Sequence, residues 1–235
     1  MDVRFYAPGN QPIGAPCAGE DGRRGGGGGG NGTVGGRGSQ KAQLPPAPGA
    51  AGGPMQPNLF EPLVGGCPGG GDGDVNLGGQ GGAAFELVSS TAITVTSTGI
   101  INAAGHGGAD DSGGGSGGTV LLEAPAIDLS GRVVANGGSG GACGVSGNNG
   151  TLDASPAAHV GGCMGSTGIG PAVSGAGGTK TQLPEDAQTD TTSLRGGGGG
   201  GAVGRLAIKT RDGTFAQSSS TIISAIVSMG MLEPE

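Results

Sequence analysis

Residues 117–137 read GGTVLLEAPAIDLSGRVVANG, and this stretch decides the fold. Two glycines open it, and a run rich in β-branched and aliphatic residues follows. Gly131 then separates that run from a second short apolar segment, Arg132 to Val134. Short runs of this composition between glycines are typical of β-strands and poor in helix formers. The stretch therefore predicts short strands punctuated by glycine.

The same order of features occurs three times along the chain, in residues 81–105, 117–137 and 200–227. The first two copies are offset by 36 residues at their front and 32 at their back. Apolar and polar residues alternate with period two, as in residues 92–98, which indicates half-buried strands. A period of about 30 residues predicts stacked coils that bury their apolar edges against one another. We expect an all-β protein, a parallel β-solenoid or β-helix; a β-sandwich or a generic antiparallel β-domain is the alternative.

Glycine is sorted along the chain and not spread evenly. Of 235 residues, 61 are glycine and 41 are Leu, Ile, Val or Phe. The windows 83–103, 119–134 and 202–227 hold 22 of those 41 apolar residues but only 4 glycines. So little apolar content excludes a helical bundle, a Rossmann sheet or a TIM barrel. The sorting itself argues against a disordered low-complexity chain.

The glycine tracts, which need an explanation of their own, cover residues 25–38, 65–82, 105–118, 137–150 and 196–204. A packed layer of polyglycine II helices would have three residues per turn, with backbones that bond to each other. Loose linkers are the alternative, because ordering glycine is entropically costly. We divide the chain into a glycine- and proline-rich segment, residues 1–60, and a repeat domain, residues 61–235.

Four cysteines allow three disulfide pairings. We favour the pairs Cys17–Cys67 and Cys143–Cys163, because each brackets a glycine-rich excursion that has little else to hold it. Free thiols and a zinc site are the alternatives. Zinc is disfavoured because the chain has no Cys-x-x-Cys and its two histidines lack ligand spacing.

One segment carries oxygen ligands at alternate positions, which is a pattern found in calcium loops. It comprises Asp72, Asp74 and Asn76, with Asp110 and Asp111 as helpers from the next repeat. The glycine position fits neither an EF-hand nor a calcium β-roll. The alternative interpretation is a turn capped by aspartate side chains, and in that case we expect the protein to have no cofactor.

Catalytic and nucleic-acid functions have weak support. Glu86 and Glu123 lie one step out of register in the repeat alignment, so we expect them to face opposite ways. A glycosidase would need paired carboxylates, and sugar-stacking aromatic residues are nearly absent. The net charge of −7 disfavours nucleic acid. We therefore expect no enzyme activity.

The expected location is outside the cell. Residues 1–9 lack the basic and apolar regions of a secretory signal, and no stretch reaches the roughly 20 apolar residues of a membrane span. The composition and paired cysteines favour an exported chain whose leader has been removed over a cytosolic one.

Four motifs resemble those of a known family. They are Pro62 to Cys67 before a glycine run, Gly118 to Pro125, Val134 to Gly138, and Gly196 to Ile208. Over residues 62–210 the chain is similar to glycine-rich, secreted repeat proteins of myxobacteria and related bacteria. The resemblance implies an exported β-solenoid at the cell surface or in the medium, and it brings no catalytic residues.

The expected function is that of a non-enzymatic structural or adhesive protein. Stacked β-coils with exposed terminal strands would let copies of the chain join into a fibre or surface layer. The alternative is a tip that binds a carbohydrate or a receptor, such as a cell-surface glycan, through its glycine-tract loops.

Overall fold

The computed structural model of the chain describes residues 2–5, 15–22, 25–39, 49–57, 63–73, 76–164, 171–188 and 196–232. Within these ranges the chain forms thirteen strands and no helix. The strands are β1 (Asp2–Phe5), β2 (Ala84–Val88), β3 (Ala92–Val95), β4 (Ile100–Asn102), β5 (Thr119–Glu123), β6 (Ala126–Leu129), β7 (Arg132–Val134), β8 (Gly161–Met164), β9 (Pro171–Val173), β10 (Arg205–Thr210), β11 (Ala216–Gln217), β12 (Ile222–Ser224) and β13 (Ile226–Met231). The expected all-β class is confirmed.

Each of the three repeats supplies one strand to each of three sheets. Sheet A has the order β1-β2-β5-β10-β13, sheet B the order β3-β6-β11, and sheet C the order β4-β7-β12. All neighbours in these sheets run parallel except β1, which pairs antiparallel with β2. The repeats found in the sequence are thus the units that pair, and the sheets are parallel as expected.

The pairing is in register with the apolar pattern. Ile93 lies opposite Ile127, and Val95 opposite Leu129, on one side of sheet B. The alternating residues Ala92 and Thr94 are exposed. Because side chains of a strand alternate between faces, this register puts like residues of successive repeats on the same face.

One hydrophobic core lies between the three sheets. It takes isoleucines, leucines and valines from sheets A, B and C, with alanines beside them: Ile93, Val95, Ala103, Val120, Leu122, Ala124, Ile127, Leu129, Val133, Ala135, Leu206, Ile208 and Ala225. A smaller cluster on the other face of sheet A joins Leu63 to Ala84, Leu121 and Ala207. Only short apolar stripes are needed to fill a core this narrow, which explains the low apolar content.

Most of the remaining described chain forms what we call the glycine layer: residues 15–22, 25–39, 49–57, 65–73, 76–82, 103–118, 135–150, 174–188 and 196–204. Residues 113–118 show its bonding pattern. Their six amides donate over 2.6–3.0 Å, in order, to the carbonyl oxygens of Gly70, Gly199, His106, Cys67, Ala202 and Ala103. Each of three neighbouring tracts therefore receives every third amide.

Close approach of backbones is what requires glycine in this layer. A Cβ placed on Gly117 would lie 1.8 Å from the carbonyl oxygen of Ala135, far inside contact distance. Among the described glycines, only Gly73, Gly144 and Gly213 have positive φ. Most of the glycines are thus needed for packing and not for an unusual backbone conformation.

The N-terminal tracts are part of the same layer. Gly29 donates to Gly114 over 2.9 Å, and Ala202 donates to Gly29 over 2.9 Å. A disulfide joins Cys17 to Cys67 with a Cα–Cα distance of 5.7 Å, and both residues are buried. Hydrogen bonds and a disulfide therefore cross the expected domain boundary at residue 60.

Cys143 is also disulfide-bonded. Its expected partner, Cys163, lies in β8, where the side chain is outside the described structure. β8 pairs antiparallel with β9, and the sequence pattern did not predict this pair.

In the described part of the chain, no helix has the length and apolar content needed to cross a membrane.

Candidate functional site

Two turns of the glycine layer bring together part of the predicted calcium segment. Asp72 ends one tract, Asn76 begins the next, and Asp110 lies in the turn before residues 112–118. Asp72 is buried, and Asp110 has a φ of 45°, a conformation that aspartate tolerates better than most residues. The layer thus brings residues from separate glycine tracts into contact.

The side chain of Asn76 links the two carboxylates. Its Nδ2 donates to Oδ2 of Asp72 over 2.7 Å and to Oδ2 of Asp110 over 3.2 Å. Its backbone amide donates to Oδ1 of Asp72 over 3.3 Å. The opposite orientation of the side-chain amide would place its carbonyl oxygen against both carboxylates, so this one is electrostatically favoured.

The neighbouring Asp111 holds the turn from the other side. Its carboxylate accepts hydrogen bonds from the backbone amides of Cys143, at 2.5 Å, and Gly196, at 3.4 Å. Because Asp111 is buried, these bonds offset part of the cost of burying its charge. Its carboxylate serves to connect three tracts.

The calcium hypothesis for this segment stays a prediction. Calcium takes six to eight oxygen ligands, and the described chain contains no group of three or more His, Cys, Asp or Glu side chains able to hold a metal. The side-chain amide nitrogen of Asn76 lies within hydrogen-bonding distance of both carboxylates. Asp74, the third residue of the predicted set, lies outside the described residues.

The carboxylates considered for catalysis are arranged differently from the expectation. Glu86 lies opposite Leu121, and Glu123 lies opposite Val88. Glu86 and Val88 are two positions apart in β2, so Glu86 and Glu123 lie on the same face of sheet A. The expectation that they face opposite ways is therefore wrong. Glu123 forms an ion pair with Lys209, whose Nζ is 2.7 Å from its Oε1.

Four further side chains of types that enzymes use in catalysis, Asp128, Arg132, His106 and His159, lie elsewhere. Asp128 is on sheet B and Arg132 on sheet C, where its Nη1 donates to the carbonyl oxygen of Leu152 over 3.3 Å. His106 and His159 are exposed. The structure does not bring these residues together with Glu86 or Glu123.

Buried polar side chains connect the sheets to the glycine layer, and the sequence pattern did not predict them. Nδ2 of Asn31 donates to the carbonyl oxygen of Gly117 over 2.7 Å, and Nη2 of Arg205 donates to that of Asn31 over 3.2 Å. Burial lowers the pKa of the Arg205 guanidinium from its ordinary value. An isolated Asn or Arg at a tract end is the only signal that the sequence offers.

Asn136 is a second anchor of this kind. Its Nδ2 donates to the carbonyl oxygen of Asp153 over 2.7 Å, and its Oδ1 accepts a hydrogen bond from Ser224. The side chain thus connects sheet C to the loop that follows residue 150.

Comparisons with known proteins add no assignment. No protein-family model matches the chain, and no curated protein and no solved structure matches it. The function of the chain must therefore be inferred from its own residues.

Proposed function

We propose that the chain is a non-enzymatic extracellular protein with a structural or adhesive role, which joins with further copies of itself into a fibre or surface layer. Its architecture would be a parallel β-solenoid backed by a layer of polyglycine II helices. The observation that carries the proposal is the position of β13 at the edge of sheet A among the described strands.

The pairing of the repeats supports the solenoid. Residues 84, 92 and 100 lie opposite residues 119, 126 and 132, so each strand pair joins equivalent positions of successive repeats. Stacked repeats that contact only their neighbours are characteristic of solenoids.

The bonding of the glycine layer supports polyglycine II helices. These have three residues per turn and no internal hydrogen bonds. In residues 113–118 every third amide donates to the same neighbouring tract, and no amide of that run donates within it.

The disulfides support an oxidising location. Cys17 and Cys67 are joined and buried, and Cys143 is also oxidised. Structural disulfides persist mainly in secreted proteins and rarely in the cytosol.

The edge at β13 supports self-association. Among the described strands, β13 has β10 as its one neighbour in sheet A. Its sequence IVSMGM contains no charge and no proline, the devices by which proteins usually block edge pairing. Met229 and Met231 are exposed, at 52% and 66%.

The unequal sheets favour pairing through sheet A alone. In the described chain sheet A has five strands, whereas sheets B and C have three each. Two copies stacked end to end could not match all three sheets at once. Among the described strands, β13 follows β10 in sheet A and has no counterpart in sheets B and C. It can therefore pair with a second copy while sheets B and C stay unpaired.

Sedimentation velocity over a concentration series, with negative-stain microscopy, tests the proposal. We expect the natural chain to form larger particles as concentration rises and Met229→Lys to stay monomeric. Leu77→Lys is the matched control, because Leu77 is 63% exposed and lies in the glycine layer. A natural chain that stays monomeric at all concentrations would contradict self-assembly, as would a Met229→Lys protein that assembles normally.

A carbohydrate- or receptor-binding tip is the second candidate. The partly exposed side chains of Asn76 and Asp110 offer an amide and a carboxylate to sugar hydroxyls, and Val145 is 49% exposed. A tip would remain a discrete particle and bind glycans on an array. A fibre subunit would polymerise and show no such binding.

A further inference from the structure

The chain contains three Asn-Gly steps, Asn31-Gly32, Asn136-Gly137 and Asn149-Gly150. In such a step the backbone nitrogen of glycine can attack the side-chain carbonyl carbon of the asparagine. That nitrogen loses its proton, ammonia leaves, and a five-membered succinimide forms. Water then opens the ring to aspartate or to isoaspartate, in which the main chain runs through the side-chain carboxyl. Asparagine is among the residues most prone to chemical damage.

The fold blocks both reacting groups at Asn31. The side chain is buried, and Nδ2, which would leave as ammonia, donates to the carbonyl oxygen of Gly117 over 2.7 Å. The attacking nitrogen, that of Gly32, donates to the carbonyl oxygen of Val203 over 2.8 Å. Reaction requires both bonds to break inside the layer.

Asn136 is held in the same way. Its side chain is buried, and Nδ2 donates to the carbonyl oxygen of Asp153 over 2.7 Å. The nitrogen of Gly137 donates to the carbonyl oxygen of Gly178 over 2.9 Å. Opening this site would also disturb the bond between Asn136 and Ser224.

Asn149 is held less firmly. Its side chain is exposed, and its Oδ1 accepts a hydrogen bond from the amide of Gly107 over 3.0 Å. Nδ2, the leaving group, has no hydrogen-bond partner among the described residues. One bond restrains the attacking nitrogen, from Gly150 to the carbonyl oxygen of Gly105 over 2.9 Å.

We propose that Asn149-Gly150 is the site of spontaneous deamidation in the folded protein, and that the fold suppresses the same reaction at the other two Asn-Gly steps. Local opening costs least at exposed segments and most in buried, fully bonded ones. Asn149 lies in an exposed stretch, whereas Asn31 and Asn136 join the layer to the sheets.

The product would alter one tract of the layer. Isoaspartate at position 149 lengthens the main chain by one carbon, so the residues on either side cannot both keep their register. The amides of Gly147 and Gly150, which donate to Gly108 and Gly105, lie on either side of it. The change adds one negative charge to an already acidic chain.

Peptide mapping by mass spectrometry after incubation at pH 8.5 in ¹⁸O water tests the proposal. In the folded protein we expect Asn149 to convert at least about tenfold faster than Asn31 or Asn136. In protein unfolded with guanidinium and reductant, the three steps should convert at comparable rates. The Asn149→Gln variant, whose longer side chain disfavours the five-membered ring, should acquire no charge at this position.

Two results would overturn the proposal. One is conversion of Asn31 or Asn136 in the folded protein at a rate equal to that of Asn149, since the fold would then give no protection. The other is deamidation of Asn149 that is still tenfold faster than that of Asn31 and Asn136 in the unfolded chain. The difference in rate would then arise from the local sequence and not from the structure.

Discussion

The amide of Gly114 donates to the carbonyl oxygen of Gly199 over 2.9 Å, joining two residues that lie 85 positions apart in the chain. At the same point a Cβ on Gly114 would lie 2.2 Å from the carbonyl oxygen of Gly138. The hydrogen bond and the close contact arise from the same geometry, because tracts near enough to bond leave no space for a side chain.

Gly114→Ala should therefore destabilise the protein. Overpacking of this kind costs about 1–3 kcal/mol, and more where backbone must move. Urea unfolding should show the loss as a lower midpoint. Gly230→Ala is the matched control, since a Cβ on Gly230 would have Cγ of Lys209 as its nearest atom, at 3.8 Å. Equal midpoints for the two variants would show that the layer can relax around a methyl group.

Ile127→Ala should test the core between the sheets. Ile127 is 3% exposed, and its truncation should cost about 2–5 kcal/mol through lost burial and an unfilled cavity. Ile100→Ala, at a position 47% exposed, should cost much less. Comparable losses at both sites in chemical denaturation would contradict a core shared by the three sheets.

Replacing both Cys17 and Cys67 by serine should lower the stability by about 4 kcal/mol, because the disulfide closes a sequence separation of 50 residues. Thermal unfolding of the natural chain and the double variant, each without reductant, measures the difference. Using the double variant leaves the disulfide of Cys143 intact. A melting temperature unchanged by the substitution would mean that the bond adds nothing to the folded state.

The stability of the cluster formed by Asp72, Asn76 and Asp110 should depend on the side chain of Asn76 and not on calcium. Asn76→Ala removes the amide that donates to Asp72 and Asp110, so two carboxylates lose a shared partner and the melting temperature should fall. Adding millimolar calcium or EDTA to the natural chain should leave the melting temperature unchanged. A clear rise with calcium would instead favour a metal site completed by Asp74.

Lowering the pH should remove the contribution of Asp212 to the stability of the folded protein. Hydrogen bonds from the side chain and the backbone amide of Thr214 lower the pKa of Asp212 below its ordinary value. The contribution to stability is therefore present at neutral pH and is lost as the pH falls through the lowered pKa. Thr214→Val should raise the pKa of Asp212 in an NMR titration, whereas Thr98→Val, at another exposed threonine, should not. An unchanged pKa in Thr214→Val would show that Thr214 is not the cause.

The strands could be predicted from sequence because their side chains carry the pattern. Alternation in residues 92–95 and 126–129 identified both strands and their pairing. The error at Glu86 came from aligning Gly81 with Gly117, an offset of 36, whereas the register is 35 from Ala84 to Thr119. A shift of one residue exchanges the faces of a strand, so that single position reversed the inferred orientation.

The glycine layer could be located from sequence but its connections could not. Glycine has no side chain to mark a partner, so nothing in residues 113–118 indicates which tract each amide will reach. The same limit applies to the candidate site. Asp72 and Asp110 lie 38 positions apart in the sequence, and the packing of the tracts that carry them sets their distance.

The long separations within the layer also set how the protein reaches its native state. Gly29 bonds to Gly114 and Gly114 to Gly199, so each of these bonds closes a loop of 85 residues. Folding rates fall as contacts become less local. We therefore expect slow folding, and at a given stability a protein that folds slowly also unfolds slowly. The survival of a folded molecule would then depend more on its unfolding rate than on its equilibrium stability.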